Sequence, residues 1–220
     1  MAQALSDAEK DGFGPASLAA LLQVIADERS SQREASDRIE LVWSGPETVA
    51  ATTRDTSVVV NDLFRRARRS VVLSGYAIHQ GKQVFRHLAA NADMQPDLRV
   101  RMFCNVQRNP GDPRTDNELL RGFAERFRNE QWPGQRLPEV YYDPRALSLA
   151  SGPRACLHAK CVIVDEELAF VTSANFTEAA QERNIEAGVL VQSTLLARSL
   201  ASQFERLVDV GALRRIAGLG

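Results

Sequence analysis

The chain has 220 residues, 44% of them hydrophobic, and a formal net charge of −1. That length suits one domain of ordinary size with a full core, and no stretch is apolar for long enough to span a bilayer. A charge so near zero excludes the strongly basic surface of a tight, sequence-blind polyanion binder, so any contact with nucleic acid must be local.

Residues 1–13 are small and polar and are expected to be frayed. Pro15 suits a first helical turn, and Leu18, Leu21, Leu22 and Ile25 then recur at helical spacing. The helix is expected to run on as a charged segment to about Asp37. Its apolar stripe stops early, which marks residues 1–38 as a helical arm, accessory to a domain over 39–220 or in contact with another chain. Ile39–Trp43 reads as a strand ended by Ser44-Gly45-Pro46. Asp55 caps a helix whose inner face carries Val60, Leu63, Phe64 and Ala67. Strands are expected at Ser70–Ala77 and Leu98–Cys104, with a helix over Gln83–Asn91 between them.

The prolines and glycine of Asn105–Asn117 make it a loop. Glu118–Arg128 is a helix, broken by Trp132-Pro133-Gly134, and Glu139–Tyr142 a strand. After a loop over Arg145–Ala155 come strands at Leu157–Val164 and Leu168–Ser173, on either side of the acidic turn Asp165-Glu166-Glu167. Ile185–Val191 is another strand, and a closing helix carries Leu196, Leu200, Phe204 and Leu207, with Gly211 as its stop. The strand–helix rhythm of the first half implies parallel pairing, and the tight turn at Asp165 an antiparallel pair. The expected fold is α/β: a mixed β-sheet sandwiched by helices, with the N-terminal arm. No internal repeat is present.

The chemistry gathers between His158 and Glu186. His158 and Lys160 are two apart on one strand and so leave by one face; Ser173 and Asn175 repeat that spacing where the next strand ends. A cation, a hydroxyl and an amide at fixed positions suit the developing charge of a phosphoryl group. A histidine serves near neutral pH as nucleophile or general acid–base. Glu186, on the neighbouring strand, is expected to accept the other ring N–H of His158 and fix its tautomer. Cys156 and Cys161 flank the histidine but leave a zinc site short of a fourth ligand, so ordinary core thiols are expected. The odd number of cysteines, with Cys104 the third, suits a reducing cytoplasm. The opening residues lack a basic stretch followed by an apolar run, so no signal peptide is expected.

The pattern His158-x-Lys160, four residues, Asp165, then Ser173 and Asn175 resembles the signature of the phospholipase D superfamily. Thr172 stands where that family normally has glycine, which crowds the approach of a phosphate. The stretches around Ile39–Glu47, Arg54–Thr56, Trp132–Arg145 and His158–Gly188 together resemble the phospholipase D-like component of DISARM-type phage-defence systems, over about residues 39–210.

The resemblance implies a metal-free, two-step displacement with no cofactor. His158 attacks phosphorus, Lys160, Ser173 and Asn175 hold the phosphoryl oxygens, and Asp165 supports the turn. A second histidine protonates the leaving group. His79 and His87, the other two histidines, open no second signature. The resemblance therefore implies a homodimer that pools two copies of His158. It further implies DNA as substrate and other defence subunits as partners. No membrane partner is expected, because no stretch spans a bilayer and the N-terminal helix lacks the aromatic–basic character of an interfacial anchor. Two rival readings remain: a turnover-deficient subunit that binds DNA or partner proteins, and a phospholipid phosphodiesterase. The basic cluster Arg65, Arg66, Arg68 and Arg69 is expected to be a solvated helix end rather than a DNA contact. Arg114, Arg121, Arg126, Arg128 and Arg136 scatter positive charge over the loops, and Trp43 and Trp132 are expected to be packing anchors.

Overall fold

The structure, a computed structural model, describes residues 14–36, 39–46, 53–150 and 155–220. The expected frayed segment 1–13, the end of the arm helix at Asp37 and part of the loop 145–155 lie outside the described residues. The chain divides after Ile39 into two compact units. The first holds α1 (Pro15–Ser36). Of its predicted stripe Leu18 is buried, while Leu21, Leu22 and Ile25 are exposed. No helix among the described residues is long and apolar enough to cross a membrane.

Nine described strands make one mixed sheet: β1 (Ile39–Ser44), β2 (Arg54–Asp55), β3 (Ser70–Gly75), β4 (Arg99–Cys104), β5 (Glu139–Tyr142), β6 (Cys161–Val164), β7 (Leu168–Thr172), β8 (Glu186–Gln192) and β9 (Arg214–Arg215). Their order is β2-β1-β8-β7-β6-β3-β4-β5-β9. The run β3–β4–β5 is parallel, and β3–β6–β7–β8 is antiparallel throughout. The helices of the second unit are α2 (Thr56–Arg66), α3 (Gly81–Val84), α4 (Arg86–Met94), α5 (Asp116–Arg126), α6 (Glu178–Glu182) and α7 (Thr194–Asp209).

Alternation along β3 decides the layering. Val71 and Leu73 join α2, α4 and α5 in one core built on Val60, Phe64, Leu88 and Leu119. Val72 points the other way, into a smaller core with Phe103, Ile163 and Ala201 and Phe204 of α7. Each fully buried side chain of this size contributes about 1.5–3 kcal/mol relative to exposure. The sheet is thus covered on both faces, as the sequence pattern predicts.

Several boundaries differ from expectation. The predicted helix 83–91 is two pieces, α3 and α4, meeting at Phe85, whose fully buried ring packs on Phe64, Trp132 and Phe176. α5 starts earlier than expected because Thr115 and Glu118 form a reciprocal capping box. It ends in a wider π turn, Phe127–Gln131, that buries Phe127. The short elements β2, α6 and β9 carry too few residues to leave a periodic signal.

Two residues of the hairpin β6–β7, Asp165 and Glu166, have φ of 55° and 58°. The two successive positive φ values make a tight turn inside the three-residue connection between the paired Val164 and Leu168, closed by Glu167 N–H donating to Val164 O at 3.0 Å. The Asp165 carboxylate accepts from the backbone N–H groups of Arg68 (3.0 Å), Arg69 (2.7 Å) and Ser70 (2.9 Å). It therefore pins the turn to the start of β3, and so the register of the central strands.

Candidate active site

The opposite ends of these strands form the site. Regular β6 starts only at Cys161, not at Leu157 as expected, and His158–Lys160 is an extended lead-in. The ladder nevertheless continues through it, with Thr172 N–H donating to Lys160 O at 3.1 Å. Two side chains tie the lead-in down: the Ser74 hydroxyl donates to Ala159 O at 3.0 Å, and Leu157 N–H donates to the Asn105 side-chain oxygen at 3.2 Å. Ser74 and Asn105 stand where β3 and β4 end, and sequence reasoning passed over both.

His158 is exposed and Lys160 buried, with 9% of the lysine accessible. The ammonium lies 3.4 Å from each ring nitrogen of His158 and 3.1 Å from its carbonyl oxygen. Tyr76, at the end of β3, packs edge-on against the imidazole with 4.8 Å between ring centroids, and the ammonium stands 5.8 Å from the Tyr76 centroid. A buried ammonium is tolerable only with such partners: a carbonyl dipole, an imidazole and an aromatic face. Tyr76 is a site residue that sequence reasoning missed. Its place at the mouth of an apolar strand is the one signal that could have found it.

Glu186 is placed differently from expectation. Its carboxylate accepts a short hydrogen bond from the Ser173 hydroxyl and is not bonded to His158. The antiparallel register decides this. Thr172 pairs with Gly188, so Ser173 opposes Ala187, and Glu186 is the next side chain along. Ser173 Oγ also accepts from Ala187 N–H at 3.1 Å. Asn175 accepts from Ala77 N–H at 3.3 Å, beside Tyr76. Unbroken links therefore run from Asn175 through Ala77 and Tyr76 to His158 and Lys160, and on through Thr172 to Ser173 and Glu186.

Thr172 turns its hydroxyl along the chain, accepting from Ala174 N–H at 3.0 Å and donating to Ala187 O at 3.5 Å. Room for it comes from across the ladder. A Cβ on Gly188 would lie 3.0 Å from the Thr172 Cβ and 2.7 Å from the Phe170 ring. Gly75 answers a similar need, since a Cβ there would meet the Phe176 ring at 2.5 Å.

The remaining candidates separate clearly. Asp165 sits at the far turn described above. The cysteines do not converge: Cys156 is exposed, and Cys104 and Cys161 are buried, which pushes both thiols up to about 12. The basic cluster lies at the far end of β3. There Arg69 pairs with Glu167 at 2.7 Å, Arg66 with Asp62 at 3.4 Å, and Arg65 with the His87 ring at 2.6 Å. Burial, followed by Arg65 and Arg86, lowers the His87 pKa. Trp132 is buried and stacks on Phe127, and its indole N–H donates to Arg136 O at 2.9 Å.

A family profile described as cardiolipin synthase, PLD-like domain, matches residues 60–208. The DISARM protein DrmC of Bacillus paralicheniformis is 29% identical over 162 residues, 73% of this chain. The chain spans 60% of the length of that relative. Two solved structures share the fold. Nuc of Salmonella typhimurium, a phospholipase D family member, has a TM-score of 0.51 and 19% identity, covering 80% of this chain and 96% of its own. NucT of Helicobacter pylori has a TM-score of 0.53 and 15% identity, covering 78% and 96%. On the profile match and on the set His158, Lys160, Asp165, Ser173 and Asn175, the chain belongs to the phospholipase D-like family.

Proposed function

We propose that the protein is a metal-independent phosphodiesterase that cleaves DNA through a phosphohistidine, in a site completed by a second copy of the chain. The observation that carries this reading is an exposed imidazole with a buried ammonium 3.4 Å from both of its nitrogens, held on a lead-in fastened from two sides.

The balance of the reaction is simple. A ring nitrogen of His158 forms a bond to phosphorus as the bond to the leaving oxygen breaks. The partner subunit's His158, as imidazolium, gives that oxygen its proton. It then takes a proton from water, whose oxygen attacks phosphorus, breaks the P–N bond and frees His158. Lys160, Ser173 and Asn175 hold the phosphoryl oxygens, where charge builds. The Ser173 hydroxyl donates to Glu186 in the free protein, so it turns away from that carboxylate to donate to a phosphoryl oxygen when substrate binds. Residues 39–220 carry this chemistry, with residues 1–38 as an accessory arm. The similarity to a DISARM protein supports a cytoplasmic role in antiphage defence beside other subunits.

The test is plasmid and single-stranded DNA cleavage in EDTA, with a rapid quench into base and mass spectrometry for phosphoryl-His158. Wild type is expected to cleave, to trap the adduct and to sediment as a dimer. His158→Asn is expected to do neither chemical step. Cleavage that persists in His158→Asn overturns the reading.

A further inference from the structure

Beside the catalytic imidazole lies a cleft of about 570 Å3 that the chemistry above does not use. It opens where β3 and β4 end, the position in which open α/β sheets take ligands. Tyr76 belongs to both places: its ring packs on His158 and also lines the cleft. Asn105 is shared too, fastening Leu157 while facing the cavity. Whatever substrate reaches His158 therefore has its neighbouring group at this opening.

The lining says what that group is. Phe123 and Phe127 supply an apolar floor, while Asn105, Gln107 and Asn109 bring side-chain amides. An amide both donates and accepts, which matches the edge of a nucleobase and not an acyl chain. Gln107 and Asn109 are exposed because Arg108 between them is buried. Its guanidinium donates to Leu147 O at 2.9 Å, to Asp112 O at 3.1 Å and to Asp116 at 2.5 Å. The loop that carries the amides is thus built rigid. Arg126 lines the same cleft, exposed and in no ion pair among the described residues. Arg65, Arg121, Arg128 and Arg136 are also exposed and outside the ion pairs, but none of them lines this cleft. Arg126 is placed for the next phosphate, and Glu130, four residues further along the same helical segment, also lines the cleft.

We infer that this cleft seats one unpaired nucleoside next to the scissile phosphate, so that the substrate is single-stranded nucleic acid. The inference rests on the nuclease reading and narrows it, because a base inside a duplex is not free to enter a side cleft.

Fluorescence anisotropy on His158→Asn protein, with a labelled oligothymidylate and a duplex of equal length, tests it without turnover. The single strand is expected to bind about tenfold tighter than the duplex. Arg126→Ala and Gln107→Ala are each expected to weaken single-strand binding about tenfold. Arg65→Ala, at the far end of β3, is expected to leave it unchanged. A 5-bromodeoxyuridine strand is expected to crosslink to peptides containing Tyr76 or Gln107. Equal affinity for duplex, or unmoved affinity in both cleft variants, overturns the cleft assignment and leaves the phosphodiesterase reading standing. Cleavage surviving in His158→Asn sinks that reading instead.

Discussion

The two ends of the central strands make an instructive contrast. At one end stand Arg65, Arg66, Arg69, Asp165 and Glu167, the densest charge near β3. Nearly all of it is used up: Asp165 takes three backbone N–H groups, and Arg66 and Arg69 have their own carboxylates. At the other end His158 faces solvent and Tyr76 and Arg126 border an open cleft. Charge density marks a structural joint here. Functional capacity shows instead as polar groups rigidly held by neighbours and left open towards solvent.

That contrast can be broken by substitution at each end. The largest effect is expected at the site end. On the proposed mechanism Lys160→Ala removes a cation that holds the phosphoryl oxygens, and it is expected to lower the single-turnover cleavage rate about 10²–10³-fold, read in a quench-flow assay. A drop under threefold would move Lys160 out of the chemistry. Next comes the far end. Asp165→Ala frees three backbone donors at once and is expected to cost about 2 kcal/mol in urea unfolding, while the folded protein keeps its cleavage rate. A large rate loss with unchanged stability would reverse the division of labour. The smallest effect belongs to Arg69→Ala. Its pair with Glu167 is solvent-exposed on both sides. The expected loss is the smallest of the three, because exposed ion pairs are screened by solvent, and it shrinks further as salt is raised in the same unfolding experiment.

Much of this is legible in the order of the residues. The Asp55 cap and the apolar face it introduces appear as α2, with Asp55 accepting from Ser57 N–H at 2.7 Å. The two-residue spacings at His158 and Ser173 lead to the right neighbourhood, because a strand's period of two is a local rule. The break at Phe85 is not legible, since it depends on where a buried ring finds Phe64, Trp132 and Phe176. Nor is the partner of Glu186. A register set by Thr172 and Gly188 gives its carboxylate to Ser173, and no spacing along the chain announces which strand residues will face each other.

Sequence by itself determined the family, the mixed sheet and the kit of His158, Lys160, Ser173 and Asn175. Periodicity and residue chemistry are properties of the chain and survive without a fold. Tertiary structure alone decided what holds that kit and what adjoins it. Ser74 reaches Ala159, Asn105 reaches Leu157 and Tyr76 reaches His158 across 85, 52 and 82 residues of chain. Contacts at such separations exist only once the sheet has closed, because loop entropy leaves them unformed in any shorter fragment.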